Sequence, residues 1–271
     1  GHVLVREPVG DAVVPMRRGV ERILAITPLF HVYAVSMGIH MALASLGTLV
    51  ILPRYRPDWT LEALNKHQIT VMLGSPTIYA GLLGYEVPAE ADFSHIEVSI
   101  SGSAALPEEI LVRWERQTGS RILEGYGQTE SGPVLSFNPR HGRGKEGSVG
   151  LVVPETDVQI VDLATGEVLN APGSVGEIRA RGPQMMQGYR NLPTETAEAL
   201  RDGWLYTGDI GEFDAEGYLF IRGRRKEMVI VGGFNVYPRE VEEVLFTHPD
   251  VADAVVVGVP DSYRGEVLVA L

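Results

Sequence analysis

The chain has 271 residues, of which 45% are hydrophobic and 21% charged, and its formal net charge is −12 at pH 7. This length suits one large domain or one domain plus a smaller one, and the composition is that of a globular protein. The negative charge argues against a nucleic-acid partner, and the absence of cysteine excludes disulfides, thiolate catalysis and cysteine-based zinc sites. A cysteine-free chain is compatible with a reducing compartment, so we predict a cytoplasmic protein.

One long segment, residues 23–53, contains no Asp, Glu, Lys or Arg. A membrane-spanning helix needs about 20 apolar residues, but Pro28, Gly38 and Gly47 interrupt this segment. We therefore interpret it as a strand, a helix and a strand of a buried α/β unit. Peripheral contact with a membrane stays open.

Residues 20–124 alternate between strand and helix patterns, which predicts a mostly parallel sheet covered by helices. The predicted strands are Ile23–Thr27, Thr48–Leu52, Ile69–Leu73, Val98–Ser101 and Arg121–Leu123. The predicted helices are His31–Leu46, Trp59–His67, Thr77–Leu83 and Pro107–Gln117. Ligands bind beyond the carboxyl ends of the strands in such sheets. The segments that follow the strands are rich in Gly, Ser or Thr, namely 27–31, 74–77, 101–106 and 125–130.

From about residue 145 short strand patterns separated by turns predict a smaller β subdomain. Its predicted elements are the strands Val158–Val161 and Gly176–Arg181, a hairpin over 210–221, and a helix Thr194–Leu200 with Thr194 as its N-cap. After a charged run, Arg222–Glu227, the pattern returns to mixed α/β, with a helix over 238–247 and a strand Val251–Val259. Such a run is a poor core strand, so we predict a domain boundary near 222–226.

The motif GYGQTE, residues 125–130, directly follows a predicted strand. Gly125 and Gly127 would turn the backbone so that N–H groups and the Thr129 hydroxyl face a phosphate, while Glu130 holds Mg²⁺. A simple strand-to-loop turn explains the same residues equally well. The motif is not a dinucleotide fingerprint, because a third glycine at the required spacing is missing.

Four other residues have a functional and a structural explanation. Asp209 suits the paired hydroxyls of a ribose, but a turn-capping aspartate is the more common case. Arg224 and Lys226 suit an anion, whereas a charged run is usually a solvated face. His31 lies in an apolar segment, where a packed core histidine is more common than a catalytic one. These alternatives stay open on residue patterns alone.

Four motifs in this order and spacing resemble the AMP-forming adenylating superfamily: GYGQTE, YTGD (206–209), GRRKE (223–227) and GGFNVYP (232–238). The match extends from about Arg22 onward, and its details look most like long-chain fatty-acid–CoA ligases. The resemblance implies an α/β fold of layered, parallel-rich sheets with helices plus a small β subdomain, followed by the start of a small α+β C-terminal domain. It implies the portion 1–222 of a large adenylation domain and the portion 223–271 of a mobile domain.

The resemblance also implies ATP-dependent activation of a carboxylic acid to an acyl-adenylate and then to acyl-CoA, with AMP and pyrophosphate released. The cofactors would be ATP/AMP, Mg²⁺ and coenzyme A, and the partners would be a fatty acid and these molecules; a homodimer stays open. An aryl- or other carboxylate–CoA ligase and a non-catalytic nucleotide- or acyl-binding module are the alternatives.

Carried over residue by residue, the resemblance implies a nucleotide site and a hinge. The implied cofactor-binding residues are Gly102, Ser103, Ala104, Gly125, Tyr126, Gly127, Asp209, Arg224, Gly232 and Gly233, the last two toward coenzyme A. The implied catalytic residues are Thr129 at phosphate, Glu130 at Mg²⁺, His31 at the carboxylate end of the acyl pocket and Lys226 at the hinge.

Two parts of the family pattern do not occur in this sequence. They are the Ser/Thr/Gly-rich phosphate loop that should precede residues 28–31, and the adenylation lysine that should lie beyond Leu271. We therefore expect this polypeptide by itself to adenylate poorly. We also expect it to expose apolar surface, including a face of residues 31–46, and to self-associate.

Overall fold

The computed structural model describes residues 16–86, 91–140, 144–246, 248, 250–251, 254–261 and 263–271. These residues form two compact units. The first contains residues 16–156 together with 182–188, and the second contains 157–181 and 189–271. The predicted domain boundary after Arg222 lies inside the second unit and stays a prediction.

The first unit is built on a seven-stranded sheet with the order β2-β1-β3-β4-β5-β6-β7. Its strands are β1 (Arg22–Ala25), β2 (Thr48–Ile51), β3 (Val71–Gly74), β4 (Val98–Ser101), β5 (Ile122–Gly127), β6 (Val134–Phe137) and β7 (Leu151–Val152). Strands β1 to β5 pair in parallel, and β6 and β7 are antiparallel. The central strands β3 and β4 are buried along their whole length, as expected for a parallel sheet covered on both faces. The predicted α/β fold is confirmed.

Helices cover this sheet and enclose a core on each face. They are α1 (Val32–Ala34), α2 (Met41–Ser45), α3 (Pro57–His67), α4 (Pro76–Leu83) and α5 (Glu108–Thr118). One core contains Leu64, Met72, Tyr79 and Trp114. The rings of Tyr79 and Trp114 meet edge-on, with their centres 4.9 Å apart. The other core contains Tyr33 and the strand residues that face it.

Helix boundaries differ from the prediction in two ways. Helices α3 and α4 begin earlier than expected, at Pro57 and Pro76, because proline fits the first helical turn. The single helix predicted for residues 31–46 is divided by a π-helical segment, Val35–His40. This segment contains Gly38, which has low helix propensity and is buried against the sheet.

The second unit contains two antiparallel sheets. The six-stranded sheet has the order β11-β12-β10-β8-β9, with β13 also paired to β12. Its elements are β8 (Asp157–Val161), β9 (Val168–Leu169), β10 (Gly176–Arg181), α6 (Pro193–Ala199), β11 (Leu200–Arg201), β12 (Trp204–Phe213) and β13 (Leu219–Arg224). The prediction of Thr194 as an N-cap is wrong, since Leu192 occupies that position and Pro193 begins the helix.

The four-stranded sheet has the order β15-β14-β17-β16. Its elements are β14 (Val229–Val231), β15 (Phe234–Val236), α7 (Pro238–Leu245), β16 (Val256–Asp261) and β17 (Gly265–Ala270). The predicted strand Val251–Val259 thus begins later, at Val256. Part of the charged run is nevertheless strand, because Arg222–Arg224 complete β13, and Arg225–Glu227 form a 3-10 turn.

Exposed apolar side chains of the first unit include Phe30, which is 90% exposed, and several on or next to α2 and β2. The side chains of Leu43 and Leu46 are 68% and 60% exposed, and Ile51 is 51% exposed. Within the part of the chain that the structure describes, every helix is too short or too polar to cross a membrane. The expected self-association through this face stays a prediction.

Candidate active site

The carboxyl ends of β1, β3, β4 and β5 lie at one edge of the first sheet, because these strands run in parallel. His31 follows β1 and is the N-cap of α1, where its Nδ1 accepts a hydrogen bond from the backbone N–H of Tyr33 at 3.2 Å. Its side chain is exposed. The interpretation of His31 as a packed core histidine is therefore wrong.

Tyr33 is a buried residue at this edge that sequence reasoning did not identify. Its hydroxyl donates to the carbonyl oxygens of Ile100 at 3.2 Å and Gly74 at 3.4 Å, so it ties together the ends of β3 and β4. Burial raises the pKa of Tyr33 well above its ordinary value, and the side chain stays a neutral donor. In the sequence Tyr33 is flanked by apolar residues, and this pattern does not indicate that its hydroxyl joins two strands.

The loop after β4 carries Gly102, Ser103 and Ala104. Gly102 is buried, and a β-carbon there would lie 3.5 Å from the Tyr33 ring. Ser103 is exposed and has a φ of 73°, a left-handed conformation that is uncommon for a residue with a side chain. Backbone of this kind is often found at ligand sites.

Strand β5 changes partner along its length. Residues 122–124 pair in parallel with β4, whereas Gly125, Tyr126 and Gly127 pair antiparallel with β6. The two glycines therefore continue the strand, and the expectation that they turn the backbone is wrong. Glycine is needed because a β-carbon at Gly125 would overlap the Phe137 ring, and one at Gly127 would overlap the carbonyl of Pro133.

Thr129 and Glu130 lie in a 3-10 turn, Thr129–Ser131, that follows β5. Buried Ser131 fixes this turn: its hydroxyl accepts from the Gln128 N–H at 2.9 Å and donates to the Pro133 carbonyl at 2.7 Å. The Thr129 side chain is exposed and that of Glu130 is partly exposed. A hydroxyl and a carboxylate are thus held at the carboxyl end of a central strand.

A distant segment, residues 182–188, also supports this turn. The Met186 N–H donates to the Glu130 carbonyl at 2.8 Å, and the Gln184 side chain donates to the Thr156 hydroxyl at 2.7 Å. No spacing rule could have linked this segment to Glu130, because the contact depends on the return of the chain to the first unit.

In the second unit, Asp209 and Arg224 face each other across β12 and β13. The Asp209 side chain is 5% exposed, and its Oδ1 lies 3.1 Å from Nε of Arg224, which is 63% exposed. The Asp209 N–H donates to the Thr207 hydroxyl at 3.1 Å, and that hydroxyl donates to the Ile178 carbonyl at 2.7 Å. The interpretation of Asp209 as a turn-capping residue is therefore wrong, since it lies inside a ten-residue strand.

The remaining predicted residues, Lys226, Gly232 and Gly233, follow β13 in the sequence. Lys226 is exposed in the 3-10 turn after β13. Gly232 and Gly233 form the two-residue loop of the β14–β15 hairpin, with φ values of 57° and 88°. Two positive φ angles are typical of a type I′ turn, which explains the glycine pair structurally.

The residues present fit a magnesium nucleotide. Among the described residues there is no group of three or more His, Asp or Glu side chains that could hold a metal ion. Mg²⁺ is usually held by one or two carboxylates together with substrate phosphates, so Glu130 beside an exposed Thr129 hydroxyl is a suitable partial donor set.

The fold and these residues define an α/β protein with polar groups at the carboxyl edge of a parallel sheet, a usual place for a nucleotide. Comparison with known families matches residues 8–190 to the AMP-binding enzyme family and residues 240–271 to the AMP-binding enzyme C-terminal domain. The chain belongs to the AMP-binding enzyme family.

Individual relatives agree with this assignment. The chain is 46% identical over 255 residues to a long-chain-fatty-acid–CoA ligase of Bacillus subtilis, covering 94% of the chain and 45% of that protein. ATP-bound MatB from Rhodopseudomonas palustris is similar, with a TM-score of 0.87 and 34% identity over 93% of this chain and 50% of that one. An O-succinylbenzoate coenzyme A synthetase from Bacillus subtilis with ATP and magnesium has a TM-score of 0.80 and 32% identity, over 92% and 51%. The chain spans about half the length of these proteins.

Proposed function

We propose that this chain is part of an ATP-dependent acid–thiol ligase that converts a fatty acid into its acyl-CoA. The observation that carries the proposal is the braced turn at the end of β5, which presents Thr129 and Glu130 at the carboxyl edge of the sheet. Its similarity to a long-chain-fatty-acid–CoA ligase supports the choice of a fatty acid. A cytoplasmic location, peripheral membrane contact and a homodimer are further parts of the proposal that need their own tests.

The phosphates would lie at the turn that carries Thr129 and Glu130. The Thr129 hydroxyl would donate to a phosphate oxygen, and the Glu130 carboxylate would hold Mg²⁺, which offsets phosphate charge when bound. Gly102, Ser103 and Ala104 would line the adenine and acyl pocket, and Tyr126 would stack near the adenine. Because the Thr129–Ser131 turn is fixed by buried hydrogen bonds, these groups would need little rearrangement to meet the nucleotide.

The ribose hydroxyls would be held by Asp209. A carboxylate can accept hydrogen bonds from both hydroxyls of a ribose, and Asp209 is held in place by its strand and by Arg224. Arg224 contacts the carboxylate from one side through Nε, and the strand holds the side chain in place.

The reaction would proceed in two displacements. A carboxylate oxygen of the fatty acid bonds to the α-phosphorus of ATP while the bond to the β-phosphate oxygen breaks, and pyrophosphate leaves. The thiol sulfur of coenzyme A then bonds to the acyl carbon, AMP leaves with the bonding electron pair, and the thiol proton passes to solvent. In-line positioning and charge neutralisation supply most of the acceleration in phosphoryl transfer.

The two steps would be separated by movement, about Lys226, of the part of the chain that follows it. His31, exposed at the N-cap of α1, would lie at the carboxylate end of the acyl site, and the Gly232–Gly233 turn would approach coenzyme A. Space around both glycines is open, since a β-carbon at either position would have no neighbour within 4 Å. Without side chains the backbone of this turn is uncovered, and a ligand could approach it closely.

The proposal is tested by calorimetric titration of this chain with AMP, together with pyrophosphate exchange by the full-length protein over a panel of fatty and aryl acids. Saturable AMP binding and exchange that is fastest with fatty acids are expected. Exchange that is fastest with aryl acids would assign an aryl–CoA ligase, and binding without exchange for any acid would assign a non-catalytic module. Absence of both binding and exchange would contradict the proposal.

A further inference from the structure

The arginines of the run Arg222–Glu227 each reach back to a carboxylate on the six-stranded sheet. Arg222 pairs with Glu212, Arg224 pairs with Asp209, and Arg225 pairs with Glu177. The first two pairs join the neighbouring strands β12 and β13. The third is different, because Arg225 has already left β13 and Glu177 belongs to β10.

Glu177 is a buried carboxylate with a long-range partner. Its side chain is 6% exposed, and its Oε2 accepts from Nη1 of Arg225 at 2.9 Å across 48 residues of sequence. A buried carboxylate is costly unless a cation or several donors satisfy it, so this pair restrains Arg225 more strongly than a surface pair would. Arg225 itself is 45% exposed, so the buried member of the pair is Glu177, on strand β10.

The chain passes to the next sheet directly after Arg225. Strand β14 begins at Val229, and its contacts lie with the four-stranded sheet: the Ile230 N–H donates to the Glu266 carboxylate at 2.9 Å, and the Gly232 N–H donates to the Arg264 carbonyl at 2.9 Å. Only Lys226, Glu227 and Met228 lie between the tethered arginine and this strand.

We infer that Glu177 is a positioning residue which, through Arg225, fixes the upstream end of the hinge and confines rotation to residues 226–228. Arg224, the preceding residue, is held opposite Asp209 by its own strand pairing and not by this tether. This inference rests on the proposed two-step reaction, in which the movement separates adenylate formation from thioester formation.

Glu177→Gln tests the inference, and Glu212→Gln is the matched control, since Glu212 also pairs with an arginine of the same run but within the β12–β13 hairpin. In this chain, amide hydrogen exchange of residues 224–231 should become about tenfold faster in Glu177→Gln and change less than about twofold in Glu212→Gln. Unchanged exchange in Glu177→Gln would overturn the tether.

In the full-length protein, both half-reactions of Glu177→Gln are then compared. Thioester formation from preformed acyl-adenylate should slow about tenfold, while pyrophosphate exchange and its KM for ATP change less than about threefold. Arg225→Lys, which keeps the positive charge, should retain most of the thioester rate. Equal loss in both half-reactions would overturn the positioning role and leave a structural one.

The two failures are distinguishable. If the unsubstituted protein carries out neither half-reaction, the proposed function fails, whereas hydrogen exchange still decides whether Glu177 restrains residues 224–231. A melting curve of each variant checks that the fold is retained, and a loss of folding in Glu177→Gln alone would assign Glu177 to the core and overturn the inference.

Discussion

Asp209 and Arg224 occupy opposed positions on two antiparallel strands, with a nearly buried carboxylate at one end of the pair and a largely exposed guanidinium at the other. The exposed guanidinium of Arg224 is therefore held next to the Asp209 carboxylate by the pairing of the two strands. We expect Asp209→Asn to weaken AMP binding about 10- to 100-fold, because hydrogen bonds to a charged acceptor contribute about 1.5–3 kcal/mol. Calorimetric titration measures the effect.

The control for this prediction is Asp157→Asn. Asp157 also pairs with an arginine of the same sheet, Arg181, but the side chains of both residues are more than half exposed. Surface pairs of this kind contribute about 0–1 kcal/mol, so AMP affinity should be unchanged. Equal weakening in both variants would mean that charge on the sheet, and not a ribose site, governs binding.

Gly127 should be far less tolerant of a side chain than its position in a strand suggests. Gly127→Ala places a methyl group on the Pro133 carbonyl, and overpacking of this kind costs about 1–3 kcal/mol or more. Thermal unfolding followed by circular dichroism should show a lower Tm. Gly84→Ala, at the end of α4, is the control and should be nearly neutral, since its β-carbon would meet its nearest neighbour at 3.5 Å. Similar Tm values for the two variants would refute the close approach.

Lys226→Pro should separate the two half-reactions of the full-length protein. Proline fixes φ near −65° and removes an N–H, so rotation at this residue is lost while the Asp209–Arg224 pair upstream stays intact. Thioester formation should fall at least about tenfold, and pyrophosphate exchange should change less than about threefold. Lys226→Ala leaves the rotation free and should behave like the unsubstituted protein in thioester formation. A matching loss in both half-reactions of Lys226→Pro would rule out Lys226 as the hinge.

Glu21 should make the stability of the first unit sensitive to acid. This carboxyl is 1% exposed; burial favours its neutral form, but hydrogen bonds from Thr70 at 2.5 Å and from Arg17 outweigh that effect and lower the pKa of Glu21 below its ordinary value of 4.5. A lowered pKa in the folded state stabilises the fold above pH 4.5, and this contribution is lost as pH falls below that value.

Glu21→Gln should therefore lower the free energy of unfolding by about 1–3 kcal/mol at pH 7, and the difference should shrink below pH 4.5. Urea titrations at several pH values measure it. Glu109→Gln is the control, because Glu109 pairs with Arg113 on an exposed helix face and should matter little at any pH. A Glu21→Gln difference that is independent of pH would show that the charge of Glu21 does not contribute.

The sequence predicted the parallel sheet and the segments at its carboxyl edge, since the alternation of apolar strand and helix patterns follows from burial on both faces. It also predicted Asp209 and Arg224 as a pair of residues, through motif resemblance. It could not predict that Gly125 and Gly127 continue a strand, because that depends on the close approach of Phe137 and Pro133. Helix starts at Pro57 and Pro76 were missed by one or two residues, although proline at the first turn is a local signal.

By itself, therefore, the sequence determined which residue types are present and in which order, and this was sufficient for the fold class and the family. Tertiary structure decided which of them meet. Met186 supports the Glu130 turn, and Glu177 anchors Arg225, through hydrogen bonds between residues that are far apart in the sequence. Such contacts depend on how sheets and returning segments pack, which local propensity and hydrophobic periodicity do not encode.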